Sequence, residues 1–600
     1  MTSLEGAVDA TRQDGGYPRP QLVRAAWHDM SGDWDFARDD DMTATLADVH
    51  FDRSIVVPFP PESPASGINE AGFLPCVWYR RTFGVEELRA AGFDSERTRT
   101  LLHFGAVDHA AQVWVNGELV ATHVGGQSPF TADVSSALRP ESDNVVVVRA
   151  VDLPDDVSVP RGKQDWREEP HSIWYHRTTG IWQPVWLECV PRCSIESVTW
   201  SSDITSATVN LAVRLHGDVP RNSWVRVVLE HEGGLLVEGR VRTMGERSCL
   251  MRVVIPRQLN GQQYEELLWS PSNPTLIAAT VVLEQTDATP IDVVGSYLGL
   301  RTVAVSTEHL LLNDRPIAVR AILAQNYWPE THLAASAEML RREVELIIDL
   351  GFNTARVHQK AEDPRFLYWA DRLGLMVWAE TANAYAFDAR AVSALMQEWT
   401  TIVQRDLSHP SIVVWVPLNE SWGVQHIAHD ERQQAFSRSI ADLTRALDGS
   451  RPVVSNDGWE HTASDIWTIH DYESDPQVLA DRYGDDRRLR TMLEGFGPAG
   501  RRMTAAGRPE RLPVMVTEFG GVSLSTGGEG DWGYSTETDP AAFEARVTAI
   551  IRAVGSASPL AGFCYTQLTD TGQETNGLLY ADRTPKIPIE RIRAAVRGTA

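Results

Sequence analysis

Hydrophobic runs in the second half of the chain repeatedly end in ionisable residues. NTARV (353–357) carries Arg356 and is followed by His358, and LMVWA (375–379) is followed by Glu380. IVVWV (412–416) leads into Asn419-Glu420, DIWTIH (465–470) ends in His470 ahead of Asp471-Tyr472, and PVMVT (513–517) is followed by Glu518. A lone strand-end glutamate is ordinarily a cap or an ion-pair partner, and a lone histidine a hydrogen-bonded core residue. Several such ends aimed at one face are harder to explain that way. Glu420 and Glu518 are the informative pair. Two carboxylates flanking an acetal suit its hydrolysis, one as acid and the other as nucleophile or base. One must stay neutral while the other ionises, so their surroundings must push their pKa values apart. Trp415, Pro417 and Trp422 around Glu420 are expected to form an apolar wall that disfavours its charged form.

The elements that would aim these residues are parallel strands. Eight apolar runs qualify: IAVRAIL (317–323), the five segments above, PVVSN (452–456) and AGFCYT (561–566). Near-continuous apolar strands imply burial on both faces, hence parallel strands separated by helices. Amphipathic stretches such as AEMLRREVELIIDLG, DPRFLYWADRLG and PAAFEARVTAIIRAVG lie between most of them. The helix after the fifth run is poorly marked. Residues 306–600 therefore read as a (β/α)8 TIM barrel, whose functional side chains emerge at the C-terminal ends of the strands.

Upstream the texture is all β. Short alternating strands such as VWYRRTF (77–83) and NVVVVRAVD (144–152), and a hairpin signal at Asn116-Gly117, point to a jelly-roll β-sandwich over 1–190. Residues 191–305 read as an immunoglobulin-like β-sandwich lacking the Cys…Trp…Cys signature. The charged, tryptophan-rich loop VPRGKQDWREEPHSIWYHR (159–177) is read first as a solvated connection between jelly-roll strands. Its alternative is a lobe reaching the barrel mouth, with Asp165 or Trp166 against sugar.

Composition excludes other classes. Net charge is −26, which repels phosphate backbones and anionic headgroups, so neither nucleic acid nor membrane is expected as a partner. The five cysteines form no CxxC pair and suit a reducing compartment. No apolar leader or membrane-length run is present, so a cytoplasmic location is expected. No oligomeric interface can be read, which leaves a homo-oligomer possible. The 20 tryptophans suit the C–H faces of sugars but also ordinary cores.

Taken with their context, these motifs resemble glycoside hydrolase family 2, the group containing β-galactosidases, β-glucuronidases and β-mannosidases. VVWVPLNESWG (413–423) is similar to its acid/base segment and VTEFGG (516–521) to its nucleophile segment. NTARVHQK (353–360), DPRFLYWADRLGLMVWAE (363–380) and WYHRTTGIWQPVWLE (174–188) match further stretches in the family's domain order. The resemblance implies a retaining mechanism: Glu518 as nucleophile, Glu420 as acid/base, and Asn419 on the sugar 2-hydroxyl. It further implies that Arg356 and Tyr472 orient Glu518. His358, Glu380, His470, Trp422 and Tyr565 would line the substrate subsite, with no cofactor and no metal ligand.

There are departures. His358 sits one place earlier than the family's strand-two histidine. Glucuronidases carry Asn-x-Lys after strand eight, whereas here Asn576 is followed by Gly577 and Leu578, which argues against glucuronides. The expectation is an exo-acting β-glycosidase on a terminal neutral sugar, galactose-type, with a furanosidase as the alternative. Little chain follows the barrel, which suits small or terminal glycosides. A noncatalytic carbohydrate-binding barrel would have lost one carboxylate, and both are present. A metal-dependent barrel hydrolase would want His-x-His on the first strand, where the chain reads AVRAILAQ.

Overall fold

Alternation of apolar residues along the strands builds separate hydrophobic cores within the bodies of the chain. The computed structural model describes residues 7–506, 510–525 and 531–599. In the first body, a six-stranded and a four-stranded antiparallel sheet face each other over Trp34, Phe36, Tyr79, Phe104, Val113 and Val148. The hairpin expected at Asn116-Gly117 joins Ala110–Val115 to Glu118–Val124, with φ of 52° and 87° at the two turn residues. Both are left-handed, as the tight primed turn requires. The second body packs a three-stranded sheet on a four-stranded one, around Trp200, Leu211, Val227 and Val281. The start of the chain runs away from the first sandwich. Ala10, Tyr17 and Val23 bury against the barrel's outer core and Leu22 against the second sandwich.

From 319 onward, seven strands pair in parallel in the spatial order Ile412–Val416, Met376–Glu380, Thr354–Val357, Val319–Ala324, Gly562–Thr566, Val514–Gly520, Trp467–Asp471. The fifth expected strand fills the gap between the two outer ones as an irregular segment. On one side Val454 N donates to Trp415 O and Asp457 N to Leu418 O, at 2.9 Å each. On the other, Gly458 N donates to Thr468 Oγ1 at 2.9 Å. No helix separates this segment from the next strand, because too few residues intervene to form one. That explains the missing periodicity there.

Elsewhere the helices start where the chemistry dictates. Asp363 caps Pro364–Leu373 by accepting from Arg365 N, Pro364 occupies the first turn, and Gly374 ends the helix at φ 83°, a position with little penalty only for a residue lacking Cβ. Asp388, Asp430 and Asp539 cap three more helices in the same way. Period-two alternation then sorts the strand residues. Leu323, Met376, Trp378, Val414, Val416, Met515 and Cys564 fill the barrel interior. Val357, Val377, Trp415, Val516, Phe563 and Tyr565 face the helices.

Candidate active site

Glu518 owes its aim to an irregularity. Val516 and Phe519 both pack outward, and the strand's pairing register shifts between them. This bulge turns Glu518 into the barrel mouth, a recurrent use of bulges beside reactive groups. There its Oε1 accepts from Arg356 Nη1 at 2.8 Å, its Oε2 accepts from Tyr472 OH at 2.5 Å, and His470 Nδ1 lies 3.5 Å from Oε2.

Glu420 is aimed by a different device. It and Ser421 adopt left-handed backbone, with φ of 51° and 60°, a conformation that costs non-glycine residues on the order of 1 kcal/mol or more each. The fifth segment holds them there. Glu420 N donates to Asp457 O at 3.0 Å, Ser421 N to Asn456 Oδ1 at 2.9 Å, and Ser421 Oγ to Glu460 Oε2 at 2.6 Å. The Glu420 side chain keeps 18% of its exposure, against 6% for Glu518, so Glu420 is the more open of the two to solvent.

An imidazole joins them. His470 Nδ1 lies 2.6 Å from Glu420 Oε1, and its Nε2 lies 2.9 Å from Asp457 Oδ2. Glu420, His470 and Glu518 each place a donor atom within 4.8 Å of the other two. The same trio could chelate a cation, but Glu420 and Asp457 already engage both ring nitrogens. Burial alone would lower the His470 pKa; the charges and hydrogen bonds of Glu518, Asp457 and Glu420 outweigh it and raise it to about 10. Burial would likewise raise that of Glu518, yet the charges of His470 and Arg356 hold it well below the usual carboxylate range. The Tyr472 hydroxyl is pushed up by burial and by Glu518, so it stays a donor.

Arg356 is the hub. Besides Glu518 it donates to Glu380 Oε1 at 2.5 Å and Asn419 Oδ1 at 2.6 Å, and pairs with Asp457 Oδ2 at 2.9 Å. With no exposed side-chain surface, it is desolvated at a cost that three carboxylates offset. Asn419 is oriented by this contact and by donation from its own N to Asn383 Oδ1 at 2.9 Å.

The sequence-derived residues therefore divide. Arg356, Asn419, Glu420, His470, Tyr472 and Glu518 form one connected network. His358 and Glu380 stand behind it. Glu380 is taken up by Arg356, by His358 Nδ1 at 3.1 Å and by Gln359 N at 2.9 Å, and so braces the hub where a sugar-lining role was expected. Trp422 lies on the rim, half-buried. Tyr565 does not join the site. Strand alternation turns it outward, where its ring meets Phe519 edge-on at 5.5 Å, and Cys564 takes the inward position. The expected tryptophan wall is also absent in that form. Trp415 points to the helices, packing on Trp399 at 5.6 Å and donating to Asp448. Glu420 has a charged imidazole beside it in place of that wall.

Sequence reasoning missed Asp457, Lys163 and Tyr534. Asp457 follows the fifth apolar run directly, the same strand-end signal that found the others. Tyr534 stacks on Tyr472 at 3.3 Å between ring centroids and carries no periodic signal. Lys163 belongs to the loop 159–177, whose reading as a solvated connection is overturned. Lys163 Nζ donates to Glu574 Oε2 of the barrel at 2.8 Å, with side chains only 3% and 2% exposed. Gln573 Nε2 donates to the carbonyls of Ser172 and Trp174, at 2.8 Å each, and Arg161 N and Gly162 N donate to Asn383 O. The loop is docked on the barrel mouth. A hollow of about 660 Å³ between the three bodies, lined by His103, Phe130, Trp186 and Gln404, includes neither Glu420 nor Glu518.

Comparison with known proteins agrees with this architecture. Residues 48–191 match the model described as "Glycosyl hydrolases family 2, sugar binding domain", and residues 303–485 match "Glycosyl hydrolases family 2, TIM barrel domain". The second match includes Glu420, and Glu518 lies beyond it. A β-galactosidase of Enterobacter cloacae is 26% identical over 414 residues, which are 65% of this chain and 37% of that protein. The fold is similar to that of a β-D-glucuronidase from Dictyoglomus thermophilum (TM-score 0.73, 19% identity, 97% of this chain and 98% of that one). It is equally similar to that of a β-galacturonidase from Eisenbergiella tayi (TM-score 0.73, 18% identity, 97% and 98%).

Proposed function

The chain belongs to glycoside hydrolase family 2, and from that premise we propose that it is a retaining, exo-acting β-glycosidase of terminal neutral sugars, galactose-type. The observation that carries the mechanism is the placing of Glu518, bonded to Arg356 and Tyr472, with Glu420 beside it. Carboxyl groups about 5–5.5 Å apart serve double displacement, whereas inversion needs about 6.5–9.5 Å to admit a water. Glu518 attacks the anomeric carbon while Glu420 gives a proton to the departing oxygen. The bond from sugar to aglycone breaks as the bond to Glu518 Oε forms. Glu420, now ionised, takes a proton from water, which attacks the same carbon and releases Glu518. His470, between the two acids, steadies whichever is the carboxylate at each stage, Glu518 before attack and Glu420 after it has given up its proton. With its Oδ1 committed to Arg356, Asn419 presents its amide Nδ2 to the sugar 2-hydroxyl.

The choice of a neutral sugar rests on paired cations. Lys163 is spent on Glu574, Lys360 on Glu362 at 3.3 Å, Lys586 on Asp570 at 2.6 Å, and Arg356 on three carboxylates. Asn576, where a uronate grip would begin, is buried and bonded to Gln567 and Glu574. None of these groups offers an unopposed positive charge to a sugar carboxylate. The docked loop walls one side of the mouth, which favours a chain end over an internal linkage. All five cysteines are free thiols, which supports a reducing, cytoplasmic setting.

A panel of 4-nitrophenyl β-glycosides tests this reading, with galactoside, glucuronide, mannoside, arabinofuranoside and galactofuranoside compared. The galactoside is expected to give the highest kcat/KM and the glucuronide the lowest. A preference for the glucuronide would overturn the neutral-sugar assignment.

A further inference from the structure

The jelly-roll loop does more than close one side of the mouth. It carries Trp166, His171 and Trp174 to the residues that follow the proposed acid. Trp174 stacks on Trp422 with ring centroids 6.1 Å apart and planes 25° apart. Tyr385 meets Trp422 at 5.6 Å and Trp166 at 5.2 Å, both edge-on. These rings are half-buried, with part of each left to solvent. Two barrel loops and one jelly-roll loop have thus converged on one aromatic cluster.

The cluster's position fixes its side of the reaction. Trp422 is two residues past Glu420 in the left-handed turn, and its N donates to Asn419 O at 2.9 Å. In a double displacement, the acid stands at the leaving-group oxygen and the nucleophile on the opposite face of the sugar. Trp422 therefore borders the leaving group, whereas Tyr472, hydrogen-bonded to Glu518, borders the sugar. Trp174 is held in place from behind by Gln573 on its carbonyl and, farther along the loop, by the buried Lys163–Glu574 pair. Tyr385 OH also donates to the carbonyls of Gly162 and Gln164. A platform anchored at this many points gives up little freedom when something flat lies on it.

We propose that Trp174 and Trp422 form the aglycone subsite and that it takes a flat, aromatic leaving group. This rests on the glycosidase reading above. The substrate class is thereby narrowed to aryl β-glycosides, with the two tryptophans setting selectivity and the loop's anchors acting as positioning residues.

The test uses the intact chain and three donors that share one sugar, the one the wild type accepts best from the nitrophenyl panel: the 4-nitrophenyl glycoside, the ethyl glycoside and the glycosyl fluoride. Fluoride has nothing to stack, so it reports the sugar side alone. In Trp422→Ala and in Trp174→Ala, the ratio of nitrophenyl to fluoride kcat/KM is expected to fall about tenfold, the scale of one aromatic stacking contact. Trp422→Phe keeps a ring and should restore most of that ratio. An unchanged ratio in both alanine variants, including a uniform loss on all three donors, would overturn the proposal. A wild type inert to every glycoside in the panel would remove the glycosidase reading itself, and is seen before any variant is made.

Discussion

His470 Nδ1 sits 2.6 Å from Glu420 Oε1, so the proposed acid faces an imidazole and not an apolar wall. That single contact links the two carboxylates electrostatically, because the same nitrogen is 3.5 Å from Glu518.

Removing the imidazole charge should show at both ends of the pH scale. His470 is the largest of the charges holding Glu518 down, so in His470→Gln the Glu518 pKa rises and the acid limb of kcat/KM moves to higher pH. The stability effect has the opposite direction. His470 is raised from 6.5 to about 10 on folding, so its contribution is complete below 6.5 and is lost as pH climbs toward 10. Wild-type melting temperature should decline across that window, and the decline should be shallower in His470→Gln. Superimposable acid limbs in the two proteins would contradict the coupling.

The two glutamates should fail differently. Glu420→Ala is expected to lose about 10²–10⁴-fold on glycosides with poor leaving groups, yet keep much of its rate on activated aryl glycosides, which need no proton. Glu518→Ala should turn over neither. Equal losses for both variants on both substrate types would reverse or void the assignment.

Lys163→Met leaves the Glu574 carboxylate buried and unpaired. Breaking such a pair costs about 3–5 kcal/mol, and the unfolding midpoint should drop accordingly. Lys163→Met combined with Glu574→Gln removes the stranded charge and should recover a large part of the loss. A single variant as stable as wild type would mean that the loop is not anchored there.

Tyr565→Phe should leave kcat/KM unchanged, since that ring packs against Phe519 among the helices. Tyr472→Phe should lower kcat, because it deletes a hydrogen bond to Glu518. A pronounced activity loss in Tyr565→Phe would place that side chain back at the substrate.

These contrasts also show where sequence is informative. The barrel strands were legible because burial on both faces forces continuous apolar runs, and their polar ends stood out against them. Tyr565 misled because adjacent strand residues face opposite ways, and composition does not reveal which parity points inward. Glu518 was legible as a strand-end acid and through the likeness of VTEFGG to a nucleophile segment, while the bulge that aims it leaves no trace there. The fifth segment lacks a following helix, so its end residue Asp457 escaped notice. The docking of residues 159–177 depends on Lys163 meeting Glu574 across more than four hundred positions, a pairing that no local pattern encodes.

Proton NMR of the first sugar released tests the central claim most directly. A close pair acting by double displacement delivers the β-anomer first, with the α-anomer growing only as the solution equilibrates. Initial appearance of the α-anomer would mean that water attacks the glycoside directly, and Glu518 would not be the nucleophile.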